Sequence, residues 1–296
     1  MSTADGAGRR ASRTAVLVCQ GRAAAHGRLA PGRFSDPTAI DLLRDSEREP
    51  VEQVRAGVAP AAWSARMAFE MVRASAEVMA PRTVRIDDAV RGRTAGQLVV
   101  LGAGLDGRAW RLAELAEVDV FEVDHPGSQL DKRERVGDRP PVSRSLTYVP
   151  VDLARDRLAD ALTPAGHRAG EATTWIWEGV VPYLDRADVR ATLATIAELS
   201  APGSTLIGNY QTPSAGAALG RLTARAMSTV ARRPSPWHDE PRRSSWSPAA
   251  MRELLTAAGF TVDSDDDLLT IAGSLDLAVR QRGSLRNGRV VVATRN

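Results

Sequence analysis

A chain of 296 residues, 43% of them hydrophobic, can bury the core of one large α/β domain or of a domain with an appendage. The formal net charge is only +3, from 39 basic and 36 interspersed acidic residues, and no basic stripe with aromatic residues is present, so nucleic-acid binding is not expected. The single cysteine, Cys19, excludes an intramolecular disulfide and a cysteine-based zinc cluster. The apolar run Ala15–Cys19 is too short for a signal sequence or a membrane span. We therefore expect a cytoplasmic protein without a membrane partner.

The N-terminal part of the chain predicts helices before any strand. Residues 1–13 are rich in Gly, Ser and Arg and are expected to form a disordered tail. Helical patterns follow over Thr14–Ala25, Pro37–Arg44 and Pro60–Met79. Together these segments predict a helical cap over residues 14–80.

From Gln97 onward, strand and helix patterns alternate. Strands are expected at residues 97–104, 118–124, 146–153, 172–180 and 203–211, with helical segments between them. This alternation is typical of a parallel sheet with helices on both faces. We therefore predict an α/β fold whose central, cofactor-binding part spans residues 81–211.

The remainder of the chain departs from this rhythm. Residues 212–246 are dense in Pro, Arg and Ser, and they predict a lid-like excursion over the edge of the sheet. Residues 247–296 follow as a helix and a hairpin. Ser247 is the expected N-cap of the helix, with Pro248 in its first turn and Gly259 after its end. The hairpin is expected to join residues 260–265 to residues 289–295.

A glycine-rich loop follows the first predicted strand. Gly102, Gly104 and Gly107 match the pattern G-x-G-x-x-G, in which glycines let backbone N–H groups approach a ligand at a strand-to-helix turn. Asp124, twenty residues after Gly104, ends the second strand and can accept hydrogen bonds from a ribose. Both features are shared by proteins that bind NAD and proteins that bind S-adenosyl-L-methionine.

The ends of the later strands favour the second cofactor. Ligands of such sheets lie beyond the carboxyl ends of the strands, and here the third strand ends in Asp152-Leu153 and the fourth in Glu178-Gly179. Acidic side chains repel a pyrophosphate but not a sulfonium cation. A Tyr-x-x-x-Lys pair is absent, because the only lysine, Lys132, lies elsewhere. An NAD(P)-binding oxidoreductase stays open as an alternative.

Several blocks of the chain resemble the leucine carboxyl methyltransferase family, whose bacterial branch includes polyketide-associated O-methyltransferases. The blocks, in order, are GRFSDPTAIDLL, PRTVRIDDAV, VVLGAGLDGRAWRL, VFEVDHPGSQLDKR, VPVDLARD and WIWEGVVPYL. The resemblance implies a class I methyltransferase fold, with a Rossmann-like, mostly parallel seven-stranded sheet beneath the helical cap. Gly107 and Pro182 depart from the family pattern, in which Thr and Met, respectively, are common.

The resemblance also implies which residues hold S-adenosyl-L-methionine. Arg82 resembles the arginine that pairs with the methionine carboxylate, and Glu178 the acid near the methionine amino group. The other residues expected at the cofactor are Gly102, Ala103, Gly104, Asp124, His125, Asp152 and Leu153. Arg22 is a further candidate basic contact.

The methyl acceptor is less constrained by the sequence. A carboxylate is already ionised at pH 7 and needs no general base, whereas a hydroxyl or an amine needs one. Polar and aromatic residues near the expected acceptor are Tyr183, Tyr210, Trp237, His238, Arg242, Arg243 and Trp246. Among them His238 is the candidate base and Tyr183 a second candidate catalytic residue. No pair of histidines has metal-ligand spacing, so no metal site is expected.

These features predict a methyltransferase that uses S-adenosyl-L-methionine to methylate a carboxyl group. The expected acceptor is a small metabolite, a natural-product intermediate or a peptide carboxylate, and the expected assembly is a monomer or a homodimer. O- or N-methylation of a hydroxyl or an amine with His238 as base is the alternative.

Overall fold

The computed structural model describes residues 12–93, 95–153, 155–213 and 243–296, in which seven strands form one sheet. The strands are β1 (Gln97–Leu101), β2 (Asp119–Asp124), β3 (Ser145–Pro150), β4 (Thr173–Trp177), β5 (Thr205–Gln211), β6 (Phe260–Asp267) and β7 (Gly288–Arg295). Their order is β3-β2-β1-β4-β5-β7-β6. The first five pair in parallel, and β7 runs antiparallel to both β5 and β6. This confirms the predicted mostly parallel, seven-stranded sheet.

Helices cover both faces of the sheet, because successive strand residues point to opposite faces and are apolar on each of them. The helices of the described residues are α1 (Arg13–Ala25), α2 (Asp45–Ala56), α3 (Trp63–Gly92), α4 (Arg108–Arg111), α5 (Pro126–Val136), α6 (Leu158–Leu162), α7 (Arg186–Glu198), α8 (Pro248–Ala257), α9 (Leu268–Ser274) and α10 (Arg282–Asn287). In β1, Val99 and Leu101 pack with α6, α7 and α8, while Leu98 and Val100 pack with the end of α3 and with α4, α9 and α10. These two layers enclose the core.

The helical cap has its own apolar cluster, which reaches the glycine-rich loop. Cys19, Phe34 and Val72 are buried in it, and so is Leu105 of the loop. Helix α3 runs without a break across residues 80 and 81, where we expected the cap to give way to the core. Its first half packs in the cap and its second half packs against the sheet, so one helix belongs to both parts.

The second predicted helix is wrong. Residues 37–42 form turns, and α2 begins only at Asp45. The side chain of Asp36 accepts hydrogen bonds from Thr38 Oγ1 at 2.8 Å and from the N–H of Ala39 at 3.1 Å, which favours turns over a helix. The N–H of Arg44 donates to Glu47 Oε2 at 2.8 Å, and this contact fixes the start of α2.

The expected N-terminal tail and the expected lid both lie mostly outside the described residues. Residues 1–11 and 214–242 are not described, and these ranges include most of the expected tail and most of the excursion. Ser12 and Arg13, placed in the tail by the sequence, instead cap and begin α1, since Ser12 Oγ accepts the N–H of Ala15 at 3.1 Å.

The C-terminal part corrects one further expectation. Helix α8 is confirmed, with Ser247 Oγ accepting the N–H of Ala250 at 3.2 Å. Strands β6 and β7 pair as expected, but they are not a simple hairpin, because α9 and α10 lie between them. Asp267 ends β6 and caps α9 by accepting the N–H of Thr270 at 2.9 Å, so the chain leaves the sheet at that residue.

Candidate active site

The carboxyl ends of β1, β2 and β4 meet at one edge of the sheet, and the glycine-rich loop lies there. Gly102 and Ala103 donate their N–H groups to the carbonyl of Val123 at 2.8 and 3.1 Å, which ties the loop to the end of β2. Gly102 and Gly104 have φ values of 65° and 48°, a left-handed conformation that glycine adopts at low cost. These two glycines let the chain turn sharply from the end of β1 into the loop that precedes α4.

Asp124 stands beside this loop, as the twenty-residue spacing predicts. Its Oδ2 accepts the N–H of Gly104 at 2.5 Å, and its Oδ1 accepts the N–H of His125 at 2.7 Å. Burial raises the pKa of Asp124, while the two backbone hydrogen bonds act in the opposite direction. The carboxylate is thus held at the turn, in a position where ribose hydroxyls can donate to it.

His125 has a structural explanation of its own. Its backbone is the N-cap of α5, and its Nδ1 accepts the N–H of Gly127 at 3.2 Å. The rest of the imidazole is exposed. Capping of α5 therefore accounts for a histidine directly after Asp124 without any role in a chemical step.

Arg82 and Glu178 form an ion pair across the same edge. Arg82 lies on α3 and Glu178 directly follows β4, and Arg82 Nε is 2.8 Å from Glu178 Oε1. Both side chains are 9% exposed, and neither of these two atoms has a hydrogen bond of good geometry. Burial alone would raise the pKa of Glu178, but the charges of Arg82 and Arg108 bring it below its usual value. The two residues that the resemblance assigns to the methionine end of the cofactor thus contact each other in the structure.

A buried network of alternating charges extends from this pair, and sequence reasoning missed most of it. Arg108 pairs with Asp87 on α3, and Arg111 pairs with the same Asp87 at 2.6 Å. Arg111 Nε is also 3.6 Å from Asp36 Oδ2. The network therefore joins the cap, α3, α4 and the end of β4.

Arg22 belongs to the cap end of this network. Its Nε is 2.9 Å from Asp36 Oδ2, and its Nη2 donates to the carbonyl of Leu105 in the glycine-rich loop. The side chain is 5% exposed. In this arrangement Arg22 braces the loop from α1.

The expected adenine-side residues lie beyond the end of β3. The N–H of Asp152 donates to Asp156 Oδ2 at 2.8 Å, and Asp152 Oδ2 is 3.6 Å from Arg155 Nε. Leu153 is half-buried and packs against the core cluster that includes Val149. The N–H of Val151 donates to the carbonyl of Asp124 at 2.9 Å, so the segment that carries Asp152 and Leu153 lies beside the end of β2.

Two of the expected acceptor residues do lie near the end of β4. Tyr183 is half-buried in the 3-10 turn Val181–Tyr183 that follows Glu178-Gly179. Arg243 is exposed, and its N–H donates to the carbonyl of Pro182 at 2.7 Å. Ser244 Oγ donates to the carbonyl of Val181 at 2.9 Å, so the segment that begins at residue 243 is fastened to this turn.

Two others are core residues, which corrects the expectation that they contact the acceptor. Tyr210 is 0% exposed, and its hydroxyl donates to Asp265 Oδ2 at 2.7 Å. Trp246 is 2% exposed, and the guanidinium carbon of Arg186 lies 4.5 Å from its ring centroid. The remaining candidates, Trp237, His238 and Arg242, lie outside the described residues.

Among the described residues, no cluster of three or more His, Cys, Asp or Glu side chains is arranged to hold a metal ion. In the same part of the chain, no helix combines the length and the apolar character needed to cross a membrane.

Known proteins resemble this chain in sequence and in fold. A protein of Frankia alni, provisionally named an S-adenosyl-L-methionine-dependent methyltransferase, is 45% identical over 44% of this chain and 48% of its own length. A Mycolicibacterium vanbaalenii protein with the same provisional name is 35% identical over 67% of this chain and 65% of its own length. The matched regions therefore span 48% and 65% of the lengths of these two relatives, less than two thirds in either case.

A solved structure supports the fold. A Thermobifida fusca protein, provisionally named a methyltransferase, superimposes with a TM-score of 0.56 over 97% of this chain and 96% of its own, at 13% identity. At that identity the similarity concerns the fold alone. The sequence model of the leucine carboxyl methyltransferase family matches residues 15–197, which include the glycine-rich loop, Asp124 and Glu178. Because this match covers more than half of the chain, the protein belongs to the leucine carboxyl methyltransferase family.

Proposed function

We propose that the protein is a methyltransferase that uses S-adenosyl-L-methionine and releases S-adenosyl-L-homocysteine. The observation that carries the proposal is the buried ion pair of Arg82 and Glu178 at the carboxyl end of the sheet. The amino-acid end of this cofactor bears both a carboxylate and an ammonium group, so each side chain has a partner of opposite charge. A dinucleotide would bring a pyrophosphate to the same edge, where Glu178 would repel it.

The other described residues fit the rest of the cofactor. The backbone of Gly102–Gly104 and the carboxylate of Asp124 are suited to the ribose, and Asp152 with Leu153 to the adenine. When bound, the cofactor supplies a methyl group on a positively charged sulfur. The contribution of the chain is to bind and orient the two reactants and to exclude water from between them.

The proposed acceptor is a carboxylate of a small molecule or a peptide. Such a group is ionised above about pH 5, so methyl transfer to it needs no general base. Arg243 supports this acceptor class, because its backbone is bonded to Pro182 in the turn that follows Glu178. A guanidinium at that position can bind a carboxylate through two parallel hydrogen bonds.

Two experiments test the proposal in turn. Titration calorimetry should detect binding of S-adenosyl-L-methionine and not of NADH. The opposite result would contradict the proposal and support an NAD(P)-binding oxidoreductase. A metabolite pool incubated with methyl-labelled cofactor should then yield a labelled product whose label mild alkali releases as methanol, since esters hydrolyse there. A product stable to alkali would contradict the carboxyl acceptor and identify a methylated hydroxyl or amine.

A further inference from the structure

Arg108 is the residue that connects Glu178 to the interior of the protein. It begins α4 directly after the glycine-rich loop, and its side chain is 2% exposed. Arg108 Nη1 lies 2.9 Å from Glu178 Oε2, on the opposite carboxylate oxygen from Arg82. Glu178 is thus placed between two guanidinium groups.

Arg108 is itself held by two carboxylates. Its Nε donates to Asp87 Oδ1 at 2.8 Å, and its Nη1 donates to Asp106 Oδ2. The N–H of Arg108 also donates to Asp106 Oδ1 at 2.7 Å. These contacts fix the guanidinium in one orientation, so Oε2 of Glu178 has a cation at a defined position.

We propose that Arg108 is a positioning residue that holds the Glu178 carboxylate ready for the ammonium group of the cofactor. The inference rests on the proposed function. Arg82 must share its charge with the carboxylate of the bound cofactor, whereas Arg108 is enclosed behind Glu178 and stays paired with it. Arg108 therefore keeps Glu178 ionised and oriented without touching the cofactor.

The charges around Glu178 show what the loss of Arg108 would do. Arg82 from α3, Arg108 from α4, Asp106 from the glycine-rich loop and Arg22 from α1 all act on it. Burial raises the pKa of Glu178 and so does Asp106, while the three arginines lower it. Without Arg108 the balance moves toward burial, and Glu178 takes up a proton at a higher pH. A protonated Glu178 no longer offers a negative charge to an ammonium group.

The test compares two ligands in Arg108→Gln and in the unmodified protein between pH 5.5 and 8. S-adenosylhomocysteine carries the amino-acid end, and 5′-methylthioadenosine has the same adenosine without it. The ratio of their dissociation constants cancels any titration at the ribose, including that of Asp124. We expect a ratio independent of pH in the unmodified protein. In Arg108→Gln, S-adenosylhomocysteine should lose up to about tenfold in relative affinity per pH unit below the raised pKa of Glu178.

Arg111→Gln is the matched control. The Arg111 side chain is 3% exposed and pairs with the same Asp87, but its described contacts do not include Glu178. Its ligand ratio should stay independent of pH. If Arg108→Gln does not fold, Arg108→Lys and Arg111→Lys replace the pair. Arg108→Lys keeps a positive charge but loses the planar set of guanidinium donors. It should lower the affinity for S-adenosylhomocysteine several-fold relative to that for 5′-methylthioadenosine, and Arg111→Lys should not.

The outcomes separate this inference from the function beneath it. A pH-independent ratio in Arg108→Gln, or equal losses in the Arg108 and Arg111 variants, would overturn the positioning role and leave the methyltransferase proposal in place. Failure of the unmodified protein to bind S-adenosylhomocysteine would overturn the proposed function, and this inference with it.

Discussion

Lys132 Nζ lies 2.6 Å from Glu122 Oε2, and both side chains are 1% exposed, so the only lysine of the chain forms a fully buried ion pair. The pair joins α5 to β2, two residues before Asp124. The ammonium group also lies 5.2 Å from the ring centroid of Trp110. Burial raises the pKa of Glu122 to about 7, against the effect of Lys132.

The pair should respond unequally to single and double substitution. Lys132→Met leaves the buried Glu122 without its cation, so that this group must take up a proton or stay charged and unpaired, and the free energy of unfolding should fall by about 3–5 kcal/mol. Glu122→Gln combined with Lys132→Met removes both charges and should cost clearly less, as urea unfolding would measure. The exposed pair Arg33–Asp88, whose side chains are 56% and 38% exposed, is the control. Arg33→Met should change stability by no more than about 1 kcal/mol. Equal losses in the Lys132 single and double variants would contradict the argument.

His167 should make the protein less stable in mild acid. It is 4% exposed, and its Nε2 lies 3.0 Å from Thr173 Oγ1. Burial lowers the pKa of His167 to about 4, whereas an unfolded histidine titrates near about 6.5. The unfolded chain therefore binds a proton first, so the stability contributed by the neutral ring is complete above about pH 6.5 and is lost as the pH falls toward 4.

The size of this effect can be measured by urea unfolding at two pH values. Between pH 7.5 and pH 5 the unmodified protein should lose about 2 kcal/mol through His167. His167→Gln has no titrating group at this position, so its loss over the same range should be smaller by that amount. Parallel pH profiles for the two proteins would show that His167 is charged in the folded state.

The sequence predicted the parts of the site that depend on local spacing. The glycine-rich loop and Asp124 meet because the ends of adjacent parallel strands lie side by side, which the strand pattern alone implies. The contact between Arg82 and Glu178 joins residues 96 positions apart, and only the resemblance to a family assigned both residues to the same end of the cofactor. Arg108 follows the loop directly, but its contact with Glu178 depends on how α4 packs against the end of β4, which local spacing does not determine.

Side-chain direction explains the errors among the acceptor residues. Tyr210 lies at the carboxyl end of β5, as predicted, but it is opposite Arg289 of β7, and its hydroxyl reaches Asp265 on β6. That arrangement depends on the antiparallel insertion of β7 between β5 and β6, which a hairpin prediction does not include. Trp246 is an aromatic residue in a polar segment, yet it is buried because the segment returns to the carbonyl of Gln211.

Asp124→Ala should weaken every ligand that carries the adenosine ribose. Loss of charge-assisted hydrogen bonds should cost about 1.5–3 kcal/mol for S-adenosyl-L-methionine. The same loss is expected for 5′-methylthioadenosine, since the ribose is common to both. Titration calorimetry would measure it. Asp119→Ala, at the opposite end of the same strand and paired with Arg144, is the control and should bind both ligands normally. An unchanged dissociation constant in a folded Asp124→Ala protein would remove Asp124 from the site.

Gly107 should be sensitive to a single added methyl group. A Cβ at this position would lie 2.1 Å from Thr38 Oγ1, because the turn that contains Thr38 packs directly against the glycine-rich loop. Its φ of −112° is open to any residue, so the clash alone is at issue. Gly107→Ala should cost about 1–3 kcal/mol of stability, and adding Thr38→Ala should restore part of it. Urea unfolding of the three proteins would measure this, and the absence of any restoration would mean that the cap does not rest on the loop at Gly107.

Arg243 bears on the acceptor and therefore on the reaction itself. If its guanidinium holds a carboxylate, Arg243→Gln should raise KM by about ten- to a hundredfold, the equivalent of about 1.5–3 kcal/mol, with kcat little changed. Arg186→Gln is the control, because that side chain stacks on Trp246 and donates to the carbonyl of Ser245, and its KM should stay near that of the unmodified protein.

A carboxylate has no proton to lose above about pH 5, so single-turnover rates should be nearly constant from pH 6 to 8. A rate that instead rises through a pKa of about 6–7, and no longer does so in His238→Ala, would identify a hydroxyl or amine acceptor assisted by a histidine base.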